Sequence, residues 1–287
     1  MNRTANIQNL MVNRTSAAAL GRLLSMIAVL SSVSTAWATD LISPVTQERS
    51  IEGTARAYDQ FYYESMEVSD AALDFAPYEH NETATAEVYG AASDGGAWQN
   101  STIGPDAMIA IGGAHGNTEA WDYDGWGNST ALSIFNVTFE ITTHVRARIA
   151  GTISAYDSSY TETILVGPHQ AIFAELAFGP SDEVMFDQTL RLAPGQYRFS
   201  TFADGNTHGD MDAPDYASAS YDVALRLCPA GDIDEDGIVG LADLATLLAG
   251  YGVGQTPDEG DLNVDGTVDV ADLAILLSQY GMSCSID

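Results

Sequence analysis

The amino-acid sequence predicts an all-β antiparallel sandwich, jelly-roll-like, over residues 39–227, followed by a small all-α domain over residues 228–287. Three observations carry this reading. Apolar and polar residues alternate with period 2 through the middle of the chain, turn dipeptides recur at short intervals, and the periodicity becomes helical after Leu227.

Residues 1–38 stand apart from both. They hold no acidic residue, Arg3, Arg14 and Arg22 precede the apolar run Leu23 to Val33, and Ala36-Trp37-Ala38 has the small-x-small form that signal peptidase cuts. The run is shorter than the ~18 apolar residues that span a bilayer. A signal peptide over 1–38 is therefore expected, with its start at Met1 or Met11, and a secreted or cell-surface product.

Charge narrows the partners. The chain of 287 residues has 40 acidic residues against 10 basic ones, all Arg, for a net charge of −30. Such a surface repels nucleic acid and anionic membranes and suits divalent cations or a saline medium. Apolar residues at 46% suffice for a real core.

The strands are clearest at Ser133 to Ile141, His144 to Ala150, Gln170 to Leu176, Val184 to Leu192, Gln196 to Phe202 and Ala217 to Leu227. Gly167-Pro168, Gly179-Pro180, Pro194-Gly195 and Asp204-Gly205 read as the turns that punctuate them. Residues 51–104 are less regular and are expected to be edge strands and loops. The stretches Ala97 to Ile103, Phe135 to Phe139 and Leu192 to Tyr197 resemble exported bacterial sandwich domains, a resemblance that implies no activity.

Two clusters in this region could bind ligands. Trp121, Tyr123 and Trp126 mix aromatic faces with Asp122 and Asp124, as a sugar platform needs, although loop aromatics also fold onto a sandwich. Asp204 to Asp212 could hold a metal or be a solvated hairpin loop. No nucleophile elbow, HExxH, cysteine nucleophile or phosphate loop occurs, and the histidines (His80, His115, His144, His169, His208) lack ligand spacing. A glycosidase needs only two suitably placed carboxylates, so hydrolysis stays open.

The last 60 residues contain no Arg and hold an internal repeat. Asp232 to Asp243 and Asp261 to Asp272, offset by 29 residues, both read D-x-[DN]-x-D-G followed by five residues and an acid. This is the EF-hand calcium loop, whose oxygens suit a hard cation taking six to eight ligands. Positions 1, 3 and 5 give Asp232, Asp234 and Asp236, then Asp261, Asn263 and Asp265; position 7 offers the carbonyls of Ile238 and Thr267. Position 9 is Gly240, where water would serve, and Asp269; position 12 is Asp243 and Asp272, where Glu is usual. Behind each loop, Leu244, Leu247, Leu248, Tyr251 and Leu273, Leu276, Leu277, Tyr280 fall on one helical face, ended by Gly252 and Gly281. Pro229-Ala230-Gly231 and Pro257-Asp258-Glu259-Gly260 leave no room for entering helices.

A duplicated loop-helix without entering helices resembles the dockerin family, over about residues 228–287. The resemblance implies two bound Ca2+ ions and a face that docks a cohesin-like partner domain. Positions 10 and 11, which in cellulosomal dockerins often carry a Ser/Thr-type pair, are here Leu241-Ala242 and Val270-Ala271. They point either to a more apolar partner or to a calcium-stiffened terminal cap. Cys228 and Cys284 bracket the repeats and, in an oxidising compartment, are expected to pair.

Three functions are compatible with this sequence. The first is a non-catalytic adhesive or carbohydrate-binding sandwich carried by a docking module. The second is a polysaccharide-degrading enzyme of a cellulosome-like complex, and the third a structural envelope protein rigidified by calcium.

Overall fold

The computed structural model describes residues 41–121, 125–210 and 215–284, all within one compact unit. The expected signal peptide and Tyr123 lie outside the described residues.

Twelve strands are seen among those residues: β1 (Ser43–Tyr58), β2 (Tyr63–Ala71), β3 (Tyr78–Val88), β4 (Ala91–Ile103), β5 (Ala107–Ala120), β6 (Trp126–Ile141), β7 (Val145–Tyr156), β8 (Tyr160–Val166), β9 (Ala171–Phe178), β10 (Asp182–Leu192), β11 (Gly195–Asp210) and β12 (Asp215–Pro229). They form two antiparallel six-stranded sheets, ordered β2-β1-β6-β11-β8-β9 and β10-β7-β12-β5-β4-β3. From β5 onward the pairing is nested: β5 with β12, β6 with β11, β7 with β10 and β8 with β9. One long hairpin folded over in this way wraps as a jelly roll. β1 and β2 widen one sheet, and β3 and β4 widen the other.

The alternation read in the sequence becomes burial. Along β6, Phe135, Val137, Phe139 and Ile141 are inside while Ile134, Asn136 and Thr138 are only half covered. They meet Ile149, Ile153, Leu165, Phe199 and Leu225 in one core, where a fully buried apolar side chain of this size contributes about 1.5–3 kcal/mol. The turns at Gly167-Pro168 and Gly179-Pro180 fall between strands as expected, and Pro194-Gly195 leads from β10 into β11, which begins at Gly195.

Residues 51–104 are more regular than expected. β2 and β3 are edge strands, but β1 pairs with β6 and β4 with β5 in sheet interiors. Gly53, Ala55 and Ala57 of β1 and Gly95, Gly96 and Ala97 of β4 are small where the sheets approach closely. A Cβ on Gly53 would collide with the carbonyl oxygen of Gly95 on the facing sheet. Small residues give little hydrophobic contrast, so the sequence hides these strands. Asp204-Gly205 is likewise not a turn but lies within β11, opposite Leu132 and Ala131 of β6. The candidate loop from Asp204 is therefore strand as far as Asp210, and Asp212 lies outside the described residues.

β12 ends at Pro229 and the first repeat begins at once, with no intervening linker. The two helices are α1 (Leu241–Gly250) and α2 (Val270–Gln279), and Pro257–Glu259 makes a 3₁₀ turn before the second loop. A separate small core joins Ile233, Val239, Leu247, Leu262, Val268 and Leu276. The predicted helical faces are only half used. Leu247 and Leu276 are buried and Leu244 and Leu273 partly so, whereas Leu248, Leu277, Tyr251 and Tyr280 are exposed. Loop residues Ile233, Leu262, Val239 and Val268 fill the space that the helices would otherwise have to fill with their own side chains. Cys228 and Cys284 form the disulfide, 56 residues apart in sequence.

Candidate metal-binding site

Both repeats fold alike, down to single dihedral angles. Glu235 and Val264, at the fourth loop position, have φ of 63° and 61°, and Gly237 and Gly266, at the sixth, 88° and 90°. Left-handed backbone costs a residue bearing a Cβ roughly 1–2 kcal/mol, and the loops confine that cost to one residue each by using glycine at the sixth position. Gly252 and Gly281 end the helices with φ of 76° and 82°.

Each helix starts two residues before the acid at loop position 12, so Asp243 and Asp272 sit third in α1 and α2. Both are buried and bind their own loops. Asp243 accepts the N–H of Ile233 at 2.6 Å and of Asp234 at 3.1 Å on Oδ1, and of Gly240 at 2.7 Å on Oδ2. Asp272 repeats this with Leu262 at 2.8 Å, Asn263 at 3.2 Å and Asp269 at 2.8 Å. A carboxylate there also faces the positive helix end.

The copies complete each other by exchange. Val239 of the first loop donates to Met282 O (3.0 Å) and accepts from Gly281 N (2.9 Å), both beyond the second helix. Val268 of the second donates to Gly254 O (3.2 Å) and accepts from Gly252 N (2.9 Å), beyond the first. Neither repeat therefore closes without the other.

The first loop brings Asp232, Asp234 and Asp236 together, with one oxygen of each within 4.8 Å of the others. Oxygens sharing one ion at 2.3–2.6 Å lie no more than about 5 Å apart, so this spacing fits a hard divalent cation. Asp232 is 1% exposed, and its Oδ1 has no hydrogen-bond partner. A buried unpaired carboxylate oxygen is costly unless something else meets it. Burial pushes the Asp232 carboxyl above its ordinary range, against the pull of Arg146.

The second loop is more self-satisfied. Asp261 accepts from Asp265 N (3.1 Å) and Gly266 N (2.9 Å), and Asn263 Nδ2 donates to Asp265 Oδ2 at 2.9 Å. Hydrogen bonds from Thr267 and Asn263 hold the Asp265 carboxyl below its usual range. Asp269 uses its side chain to cap α2, accepting from Ala271 N at 2.7 Å. Leu241, Ala242, Val270 and Ala271 are all exposed at the helix starts, and the side chains of Ile238 and Thr267 are exposed too.

The sandwich supplies residues that the repeat pattern does not reveal. Arg146 on β7 donates to Asp232 Oδ2 at 3.1 Å, to Asp232 O at 3.4 Å and to Glu235 Oε1. Arg191 donates to Ala230 O at 3.3 Å, and burial lowers its pKa with Arg146 alongside. Gln279 accepts from Gly231 N at 2.8 Å and donates to Thr143 Oγ1 at 3.0 Å and His144 O at 2.6 Å. Register places Arg146 beside Arg191 and Arg148 beside Arg226 on neighbouring strands. Of seven arginines after residue 38, four thus share one face beneath the acidic repeats. Their scarcity elsewhere was the available signal.

The aromatic candidates separate. Trp121 lines an open cleft with Tyr62, Tyr63 and Tyr89. Trp126 packs instead on Tyr58 and His208, at ring-centroid distances of 5.5 and 5.9 Å.

No protein-family profile and no curated protein matches the chain. Among solved structures, the enzymatically active domain of a bacteriophage CBA120 tailspike protein shares 7% identity over 46% of this chain and 19% of its own, with a TM-score of 0.20. A GH31 alpha-xylosidase from Xanthomonas citri shares 8% identity over 69% of this chain and 28% of its own, with a TM-score of 0.16. The chain thus spans under a third of either protein, and at these scores neither likeness bears on fold or function. Among the described residues no helix is long and apolar enough to cross a membrane.

Proposed function

We propose that this is a secreted calcium-binding protein whose dockerin-like C-terminal repeats dock a non-catalytic sandwich onto a cohesin-like partner. The observation that carries the metal reading is the buried, unpartnered Oδ1 of Asp232 beside Asp234 and Asp236. Asp232, Asp234, Asp236, the Ile238 carbonyl and Asp243 would hold one Ca2+. Asp261, Asn263, Asp265, the Thr267 carbonyl, Asp269 and Asp272 would hold the other. The ions would neutralise carboxylates crowded within each loop and fix the helices against one another. That would leave Leu241, Ala242, Val270 and Ala271, with Leu248 and Leu277, exposed to meet the partner.

Calorimetric titration of the full chain should give two calcium ions per molecule, falling to none in the double variant Asp232→Ala and Asp261→Ala. Absence of binding in the unsubstituted chain would remove the calcium reading. A cohesin domain immobilised on a surface should retain the chain with calcium and release it with chelator.

A second reading, the calcium-rigidified terminal cap, gains support from the seating of the repeats on β7 through Arg146 and Gln279. Stabilisation of the whole chain by calcium with no retention by cohesins would favour it.

A further inference from the structure

We propose that the cleft where the outer strands of the two sheets meet binds a neutral polysaccharide chain. It lies at the widened side of the jelly roll, between the start of β2 in one sheet and the end of β3 in the other. Its volume is about 1000 Å³, at the upper end of the ~300–1,000 Å³ usual for ligand sites. Tyr62, Tyr63, Tyr89 and Trp121 line it together with Glu64 and Glu87. All four aromatic residues are more than half exposed, Tyr89 at 81%.

Aromatic side chains of this size are usually buried where they can be, and here four stand exposed around one cleft. Buried Asp59 accepts the N–H groups of Phe61 and Tyr62 at 2.7 Å each, which fixes the turn that carries Tyr62 and Tyr63. Trp121 donates its backbone N–H to Gly90 O at 2.9 Å and its indole N–H to Tyr89 O at 2.7 Å. The polar end of the indole is thereby satisfied within the protein, and the exposed ring surface remains. Glu64 accepts the N–H of Glu87 at 2.9 Å and ties one sheet to the other across the cleft. The Trp121 indole, already tied by its own hydrogen bond, loses little freedom on binding.

The chemistry selects the ligand. The C–H face of a pyranose is weakly positive and packs on an aromatic face, which is negative. Its hydroxyls donate to carboxylates, which only accept. A net charge of −30 rejects uronic, sulfated and phosphorylated chains as well as nucleic acid. An amphipathic helix would want an unbroken apolar groove, and Glu64 and Glu87 interrupt this one. The cleft uses no residue of the metal loops, so its fate is separate from that of the docking reading.

Affinity electrophoresis of the full chain through soluble β-glucan, xyloglucan and galactomannan, with polygalacturonate as the anionic control, tests this. Retardation by at least one neutral polymer and none by polygalacturonate is expected, unchanged by chelator. Tyr89→Ala and Tyr62→Ala should each weaken it at least tenfold, and Trp121→Phe less than either. Tyr216→Ala, an exposed aromatic elsewhere, should leave it intact, and unfolding temperatures of all variants verify the fold. Failure of every neutral polymer to bind, or binding that survives Tyr62→Ala and Tyr89→Ala together, overturns the proposal. So does self-association of the chain that those substitutions abolish in the absence of glycan. Release of reducing ends, lost in Glu64→Gln, would overturn binding without catalysis.

Discussion

The two repeated loops match in φ at their fourth and sixth positions and in the hydrogen bonds of their last acid, yet they sit in different surroundings. The first lies against the basic face of the sandwich, where Arg146 takes one oxygen of Asp232 and leaves the other unpaired. The second satisfies its carboxylates with its own amides and with Asn263. Duplication therefore set the backbone, and contact with the sandwich set the electrostatics. The same contrast appears at Gly250 and Gln279, equivalent positions 29 residues apart. A side chain on Gly250 would collide with Glu259 O, whereas Gln279 is buried and bridges the repeats to Thr143 and His144.

Arg146→Ala should separate the two loops most strongly. Without calcium it strands the buried Asp232 carboxylate, and breaking a buried ion pair in this way costs about 3–5 kcal/mol. Calcium should restore part of that loss, because the ion supplies positive charge where Arg146 did. Denaturant unfolding with and without calcium would then show a larger calcium-induced stabilisation in the variant than in the parent. Equal stabilisation in both would mean that Arg146 and the ion do not share Asp232. The first calcium affinity should rise about tenfold, equivalent to ~1.4 kcal/mol, with the second unchanged.

Gln279→Ala should come next. It removes two donated bonds and leaves the N–H of Gly231 buried and unpaired, a loss of about 1–3 kcal/mol. The matching change in the first repeat, Gly250→Ala, overfills its site at a cost of roughly 1–3 kcal/mol by displacing the 3₁₀ turn. Gln279→Ala should loosen the repeats from the sandwich, seen as faster amide exchange at Gly231, while Gly250→Ala leaves that exchange unchanged. Identical exchange in both variants would show that the bridge through Gln279 holds nothing.

These differences explain what the sequence could and could not reveal. The repeat, the glycines at the sixth positions and the stops at Gly252 and Gly281 are local requirements, written as residue types at fixed spacing. β6, β7 and β11 were legible because one face of each meets a dry core of large side chains. β1 and β4 were not, since Gly53 and Gly95 trade side-chain bulk for close sheet approach and erase the alternation. Arg146, Gln279 and the cleft aromatics depend on which strand ends come together, and no local pattern encodes that. Trp121 and Trp126 are five residues apart in sequence but serve different surroundings. Trp121 follows β5 of one sheet and Trp126 opens β6 of the other, a separation that no local pattern shows.

The smallest expected difference is in acid. If the loops hold calcium as proposed, protons compete with it for the same carboxylates, and each ion should leave as its ligands protonate. Burial raises the pKa of Asp232 in the first loop, and this acid gains its proton at a higher pH than an ordinary carboxyl. Hydrogen bonds from Thr267 and Asn263 lower the pKa of Asp265 in the second, which stays ionised to a lower pH. For the calcium-free chain the signs are opposite. The raised Asp232 favours the folded state at low pH and loses that contribution as pH rises through its folded pKa. The depressed Asp265 favours it above its unfolded pKa and loses that contribution as pH falls. Calcium stoichiometry followed from neutral pH downward should therefore pass from two to one before it reaches zero, with the first loop emptying first. Asp232→Asn should remove the earlier step and leave the later one in place. A single concerted release would instead mean that the exchange of Val239 and Val268 between repeats couples the loops more tightly than their surroundings separate them.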